Sequence, residues 1–130
     1  MTSELPAVLV AEDDAALREV ICEALTTAGW RVESYADGDA LLNAVTYRFD
    51  YLGTPPDLIV TDLRMPGWSG LDVLKRLRRF DKVTPVILIT AFGDTKTHAA
   101  ALKLGACHVL DKPFDVDTLR IVAELTGGPS

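Results

Sequence analysis

Four short apolar runs recur along this 130-residue chain, and each is followed at once by polar or charged residues. Val8-Leu9-Val10-Ala11 leads into Glu12-Asp13-Asp14, and Leu58-Ile59-Val60-Thr61 leads into Asp62. Val86-Ile87-Leu88-Ile89 leads into Thr90, and Val109-Leu110 runs into Asp111-Lys112-Pro113. Between these runs the apolar period switches from two to 3.6, the signature of repeated βαβ units and a parallel sheet. Five such units fit, so the predicted fold is α/β: a doubly wound, five-stranded parallel sheet with helices on both faces. The chain has the length of one domain, taken as residues 1–130 with a core over about 6–125. With 48% hydrophobic residues it has enough apolar side chains to bury a core of that size.

The helices are marked by their punctuation. The first is expected near Ala15, behind Asp13 or Asp14 as N-cap, with Leu17, Val20, Ile21, Ala24 and Leu25 on one face and Gly29 as its exit. Trp30, Val32 and Ser34 alternate with Arg31 and Glu33 as a half-buried edge strand, and Leu41, Leu42 and Val45 suggest a second helix. Residues 46–56 are long for a turn, so Tyr47, Phe49 and Tyr51 either continue that helix or form an aromatic-rich loop. Ser69 and Asp72 have capping-box spacing ahead of Leu71, Leu74 and Leu77, in a helix ending near Phe80. Pro85 opens the fourth strand, where it removes no interior ladder bond. A fourth helix spans about Asp94 to Leu104 and is closed by Gly105. The last begins near Asp115 with Val116, Leu119 and Val122 inward, and Gly127-Gly128-Pro129-Ser130 reads as a tail or linker stub.

Charge and composition narrow the function classes. Thirteen Lys and Arg against nineteen Asp and Glu give a net charge of −6, which argues against direct nucleic-acid binding by this surface. No stretch has the pattern of a signal peptide or the roughly 20 apolar residues of a membrane span, so a cytoplasmic location is expected. Cys22 and Cys107 have neither metal nor redox spacing and are expected to be reduced core thiols. His98 and His108 lack ligand partners at metal spacing and read as structural. Trp68 reads as a hydrophobic lid or partner contact.

In a doubly wound sheet the ligand site lies outside the carboxyl ends of the strands, where the winding direction reverses. If the order is 2-1-3-4-5, strands one and three are neighbours at that point, so Glu12, Asp13 and Asp62 converge there, flanked by Thr90 and Lys112. Carboxylates about 5 Å apart at an effective dielectric near 20 repel by roughly 3 kcal/mol, enough to move a pKa by about two units. A hard divalent cation offsets that repulsion, and Mg²⁺ or Mn²⁺ suits an oxygen-only donor set that leaves room for phosphate oxygens. Asp13 and Asp62 are assigned as direct ligands, Glu12 as a ligand through water, and the Arg64 backbone carbonyl as a further oxygen. A carboxylate so placed is a nucleophile toward phosphorus, so Asp62 is the candidate phosphoacceptor. Lys112 and the Thr90 hydroxyl would each bind a phosphoryl oxygen, and the small Ala91 would leave a path for a phosphodonor.

At these residues the chain resembles the receiver domains of two-component response regulators, from about residue 6 to residue 125. The resemblance rests on the acidic pair after the first strand, the lone Asp of Asp62-Leu63-Arg64-Met65-Pro66-Gly67, the Thr after the fourth strand and Lys112-Pro113-Phe114, in order and at the expected separations. It implies a flavodoxin-like three-layer fold and Mg²⁺-dependent phosphorylation of Asp62 by a sensor histidine kinase, a phosphotransfer protein or a small acyl phosphate. It also implies slow self-dephosphorylation and a cis peptide bond before Pro113. Phosphorylation would alter the face built from the fourth helix, fifth strand and fifth helix, which would control a downstream effector domain or protein or support a homodimer. Four features depart from the family pattern. Glu12 stands where Asp is commoner, Val109 occupies the position of the usual aromatic switch, Arg64 lies two residues past the acceptor, and residues 46–56 add length. An aspartyl-phosphate phosphohydrolase also uses a strand-end Asp, Mg²⁺, a Thr or Ser and a Lys. It usually has a second acid where Arg64 stands, together with a cap for which this chain lacks the length. A phosphate-independent interaction module is the third reading.

Overall fold

The computed structural model describes residues 5–91 and 95–126. Five strands, β1 (Ala7–Ala11), β2 (Arg31–Tyr35), β3 (Leu58–Asp62), β4 (Val86–Ala91) and β5 (His108–Lys112), form one parallel sheet of order β2-β1-β3-β4-β5. Every residue of β1 and β3 is buried, which is why these strands read as unbroken apolar runs: helices cover both of their faces. The edge strands differ. β2 is exposed at Arg31, Glu33 and Ser34 and half-buried at Val32 and Tyr35, and β5 is half-buried throughout.

The helices α1 (Ala15–Thr27) and α5 (Val116–Leu125) cover one face, where Ile21, Leu25, Leu119 and Ala123 pack on Val8, Val10, Val60, Ile87 and Ile89. On the other face α2 (Gly38–Tyr47), α3 (Gly70–Leu77) and α4 (Thr95–Lys103) bury Leu41, Val45, Leu74, Leu77 and Ala101 against Leu9, Ile59 and Leu88. Asp14 caps α1 by accepting from the Leu17 amide, and Ser69 and Asp72 form the reciprocal capping box at α3. Gly105, at φ 103°, takes the left-handed position after α4, where a side chain would be strained.

Several expectations need correction. Ser34 is exposed, and the half-buried residues of β2 are Val32 and Tyr35, because an edge strand has only one packed neighbour. Trp30 is buried but precedes the strand. In α3 the buried partner of Leu74 and Leu77 is Val73, with Leu71 half-buried. Cys107 is exposed rather than in the core, since it sits in the turn entering an edge strand; Cys22 is half-buried, and both thiols are free. The open question over residues 46–56 resolves into a π-helical turn, Arg48–Leu52, that prolongs α2 and ends at Gly53. Asp94, the expected start of the fourth helix, and the tail 127–130 lie outside the described residues. No helix among those residues is long and apolar enough to cross a membrane.

Candidate functional site

The parallel register carries four strand ends to one edge of the sheet. Asp62 is the last residue of β3 and pairs with Ile89, so Thr90 lies one residue further along β4. Thr90 pairs with Asp111, and Ala91 with Lys112. On the other side of β3, Ala11 pairs with Thr61, which sets Glu12 and Asp13 beside Asp62. The carboxylate oxygens of Glu12, Asp13 and Asp62 lie within 4.8 Å of one another; Glu12 and Asp62 are buried and Asp13 is exposed.

Lys112 spans this cluster. Its Nζ donates to Asp62 Oδ2 at 2.7 Å and lies 3.4 Å from Glu12 Oε1. Burial pulls the lysine pKa down, but its hydrogen bond to Asp62 and the charges of Asp62 and Glu12 outweigh it and hold Lys112 above its ordinary value. One ammonium cannot neutralise three carboxylates. Burial pushes Glu12 up to about 7, and the proximity of Asp62 adds to the rise; the Asp14 amide and the Lys112 charge oppose it only in part. Three hard oxygen donors with surplus negative charge are the donor set that Mg²⁺ or Mn²⁺ takes, so the residues present fit such an ion.

The remaining candidates surround this centre. Thr90 is fully buried, and its hydroxyl has no hydrogen-bond partner among the described residues. Arg64 is exposed, and its backbone amide donates to Asp62 Oδ1 over a long 3.4 Å. Ala91 is exposed and, with Leu17, Val20, Pro113 and Phe114, lines a largely apolar cavity of about 620 Å³ that reaches Lys112. The Lys112–Pro113 peptide bond is cis. Val109 lies half-buried on the α4 side of β5, where it packs on the core without a ring.

Two contributors were missed from sequence. Arg18, one turn into α1, donates from Nη1 to the Glu12 carbonyl at 2.7 Å and fixes the acidic loop; six residues of separation carry no local signal for that. Gly70 lets the β3–α3 loop fold against the strand: a Cβ there would lie 2.5 Å from the Asp62 carbonyl oxygen and 2.8 Å from Leu88 Cδ1. A glycine immediately after the Ser69 cap was the available clue. His98, read as structural, ties α4 to β5, with Nε2 2.6 Å from Asp111 Oδ1.

Comparison with known proteins agrees with this arrangement. The family model for the response regulator receiver domain matches residues 8–124. The transcriptional regulatory protein FixJ of Azorhizobium caulinodans is 41% identical over 117 residues, which cover 88% of this chain and 51% of FixJ. The response regulator protein PmrA of Pseudomonas aeruginosa is 42% identical over 114 residues, covering 87% of this chain and 48% of PmrA. The chain thus spans about half the length of these relatives, and 22% of the DNA-binding transcriptional regulator NtrC of Klebsiella pneumoniae, to which it is 36% identical. Among solved structures, a response regulator receiver domain protein from Clostridium thermocellum superposes with a TM-score of 0.85 at 27% identity, covering 94% of each chain. The receiver domain of Francisella response regulator 1452 does so with 0.81 at 32%, covering 93% of this chain and 95% of that one. Receiver domains are signalling switches rather than turnover enzymes, which sets the phosphohydrolase reading aside. With the family pattern matched over nearly its whole length, this chain belongs to the response regulator receiver domains of two-component signal transduction.

Proposed function

We propose that Asp62 is the phosphoacceptor of this receiver domain and that its phosphorylation is the signal the domain passes on. The observation that carries the reading is a buried carboxylate at the end of the central strand, gripped by Lys112 and crowded by two further carboxylates. One Asp62 oxygen forms a bond to phosphorus as the donor's own bond to phosphorus breaks, and the leaving group departs with that electron pair. Lys112, already directed at the acceptor, would bind one phosphoryl oxygen. The unpartnered Thr90 hydroxyl would donate to another. Asp13 and Asp62 directly, Glu12 through water and the Arg64 carbonyl would hold Mg²⁺ or Mn²⁺, which when bound supplies positive charge against the phosphoryl oxygens. The cavity at Ala91 is a path for the donor, a sensor histidine kinase or phosphotransfer protein.

The switched surface in this reading is the α4-β5-α5 face, since Thr90 adjoins β5 in register. With Val109 in place of an aromatic, the change would pass through backbone shifts of these elements to an effector domain, a partner protein or a second copy. The domain would act in the cytoplasm as a single unit with its core over about residues 6–125, without binding nucleic acid itself.

Intact mass after incubation with acetyl phosphate tests the reading. Wild type is expected to gain one phosphoryl group with Mg²⁺ and none with chelator, and Asp62→Asn to gain none under either condition. An adduct on the mutant, or one indifferent to the metal, would overturn it.

A further inference from the structure

One end of the molecule is left over once the site is accounted for. The π-helical turn Arg48–Leu52 leads toward the amino end of β3, and the turns after α3 lead into the amino end of β4, so both lie opposite Asp62 along the strands. They are joined there by Phe49 and Phe80, whose rings meet edge to face at 5.2 Å. Tyr47, Leu52 and Phe80 are exposed around this contact, and Tyr51 and Val83 stand 76% and 88% exposed. Half of the large apolar side chains exposed among the described residues are therefore gathered here.

The charge of the same region runs against that of the chain. From Leu71 to Lys82, through α3 and the turns after it, five cations stand against two carboxylates, a net +3 in a chain of −6, which leaves −9 for the rest. Of these two, Asp81 is buried against the Val83 and Thr84 amides and Asp72 is held in the α3 capping box, so neither shields the surface; Asp50, in the π-helical turn, is exposed and offsets one of the cations. Lys75, Arg79 and Lys82 are exposed, and none has an ion-pair partner among the described residues.

We propose that this end is a docking surface for a carboxylate-rich segment of another protein that carries apolar side chains. An aromatic and aliphatic centre edged by unpaired cations has the anatomy of such an interface, and its charge complements an acidic partner. Single-stranded nucleic acid is the poorer occupant. Tyr47 and Tyr51 lie 5.1 Å apart and Phe49 meets Phe80, so these rings turn toward each other rather than to bases, and the remaining −9 repels phosphates. A symmetric second copy would set cations against cations. Because the surface lies at the opposite end of the strands, it holds its partner in either phosphorylation state, a clause that rests on Asp62 being the acceptor.

Fluorescence anisotropy with a labelled peptide alternating Glu with Leu and Phe tests this, using its Lys-for-Glu counterpart and a labelled oligothymidine as comparisons. The Glu peptide is expected to bind the wild type alike before and after treatment with acetyl phosphate and Mg²⁺, with affinity falling as salt rises. Charge reversal in the double variant K75E/R79E should weaken it at least ~10-fold, and Tyr51→Ser with Val83→Ser about 5-fold. Circular dichroism checks that each variant folds, and K75Q/R79Q provides a milder version expected to weaken binding in the same direction. Failure of the Glu peptide to bind, equal binding by the Lys peptide, tighter binding by oligothymidine, or indifference to the charge reversal would each overturn the proposal. Loss of binding only after treatment with acetyl phosphate and Mg²⁺ would overturn only its independence of phosphorylation, and a failed mass experiment would leave the docking surface standing.

Discussion

At the scale of single residues the site depends on one absent side chain as much as on the charged ones. Asp62 is aimed by the loop that leaves β3, and that loop is pressed onto the strand because residue 70 has no Cβ. Alanine at 70 would put a carbon 2.5 Å from a backbone oxygen and 3.0 Å from the Leu63 Cα, and backbone cannot yield as a flexible side-chain end can. Gly70→Ala is therefore expected to destabilise the fold by about 1–3 kcal/mol. It should also slow modification of Asp62 by acetyl phosphate by roughly 10-fold or more through misplacement of the acceptor. Urea unfolding and the rate of the mass shift measure the two effects, and a variant with wild-type values of both would show that the loop has slack. The same spacing argument explains why Asp62 was identifiable before any coordinates. A lone carboxylate ending an apolar run is conspicuous in sequence, whereas the glycine that positions it becomes visible only through what surrounds it.

At the scale of elements, the turn between α3 and β4 shows how a polar residue becomes structural. Asp81 is buried, and its Oδ1 accepts from the amides of Val83 and Thr84 at 2.9 Å each. Burial alone would raise its pKa, but hydrogen bonds from Thr84 and the Val83 amide, with the Arg78 charge, prevail and leave it below the ordinary carboxylate value. Arg78 extends the tie, donating to the carbonyls of Asp81, Thr84 and Gly105 and so linking the ends of α3 and α4 to the start of β4. A carboxylate with a depressed folded pKa stabilises fully above its unfolded pKa and loses that contribution as pH falls through the folded value. Asp81→Asn should accordingly cost about 1–2 kcal/mol at pH 7, with the gap from wild type closing below about pH 4. Urea melts at both pH values decide it, and a gap that does not change with pH would mean that shape rather than charge matters at this turn.

Over the whole molecule, net negative charge and a convergent trio of carboxylates make the folded state sensitive to cations. Three acids at one sheet edge are supported by a single lysine, so a divalent ion bound there should stabilise the native state, by about 2.7 kcal/mol at a free concentration 100-fold above its Kd. Thermal melts with and without Mg²⁺ should show a rise in Tm that chelator reverses and that Asp13→Asn largely removes. A rise of equal size in the mutant would assign it to general screening of the −6 charge. The parallel sheet, the two helical layers and, once the order 2-1-3-4-5 is assumed, the meeting of Glu12, Asp13, Asp62, Thr90 and Lys112 were legible in the chain. Apolar period and capping residues report local conformation, and the rules of parallel βαβ winding then carry strand ends to one edge. The π-helical turn, the exposure of Ser34 and Cys107, the reach of Arg18 to the Glu12 carbonyl and the close approach at Gly70 were not. Each depends on which residues distant in the chain come to lie beside it, and the periodicity of its own segment carries no record of those neighbours.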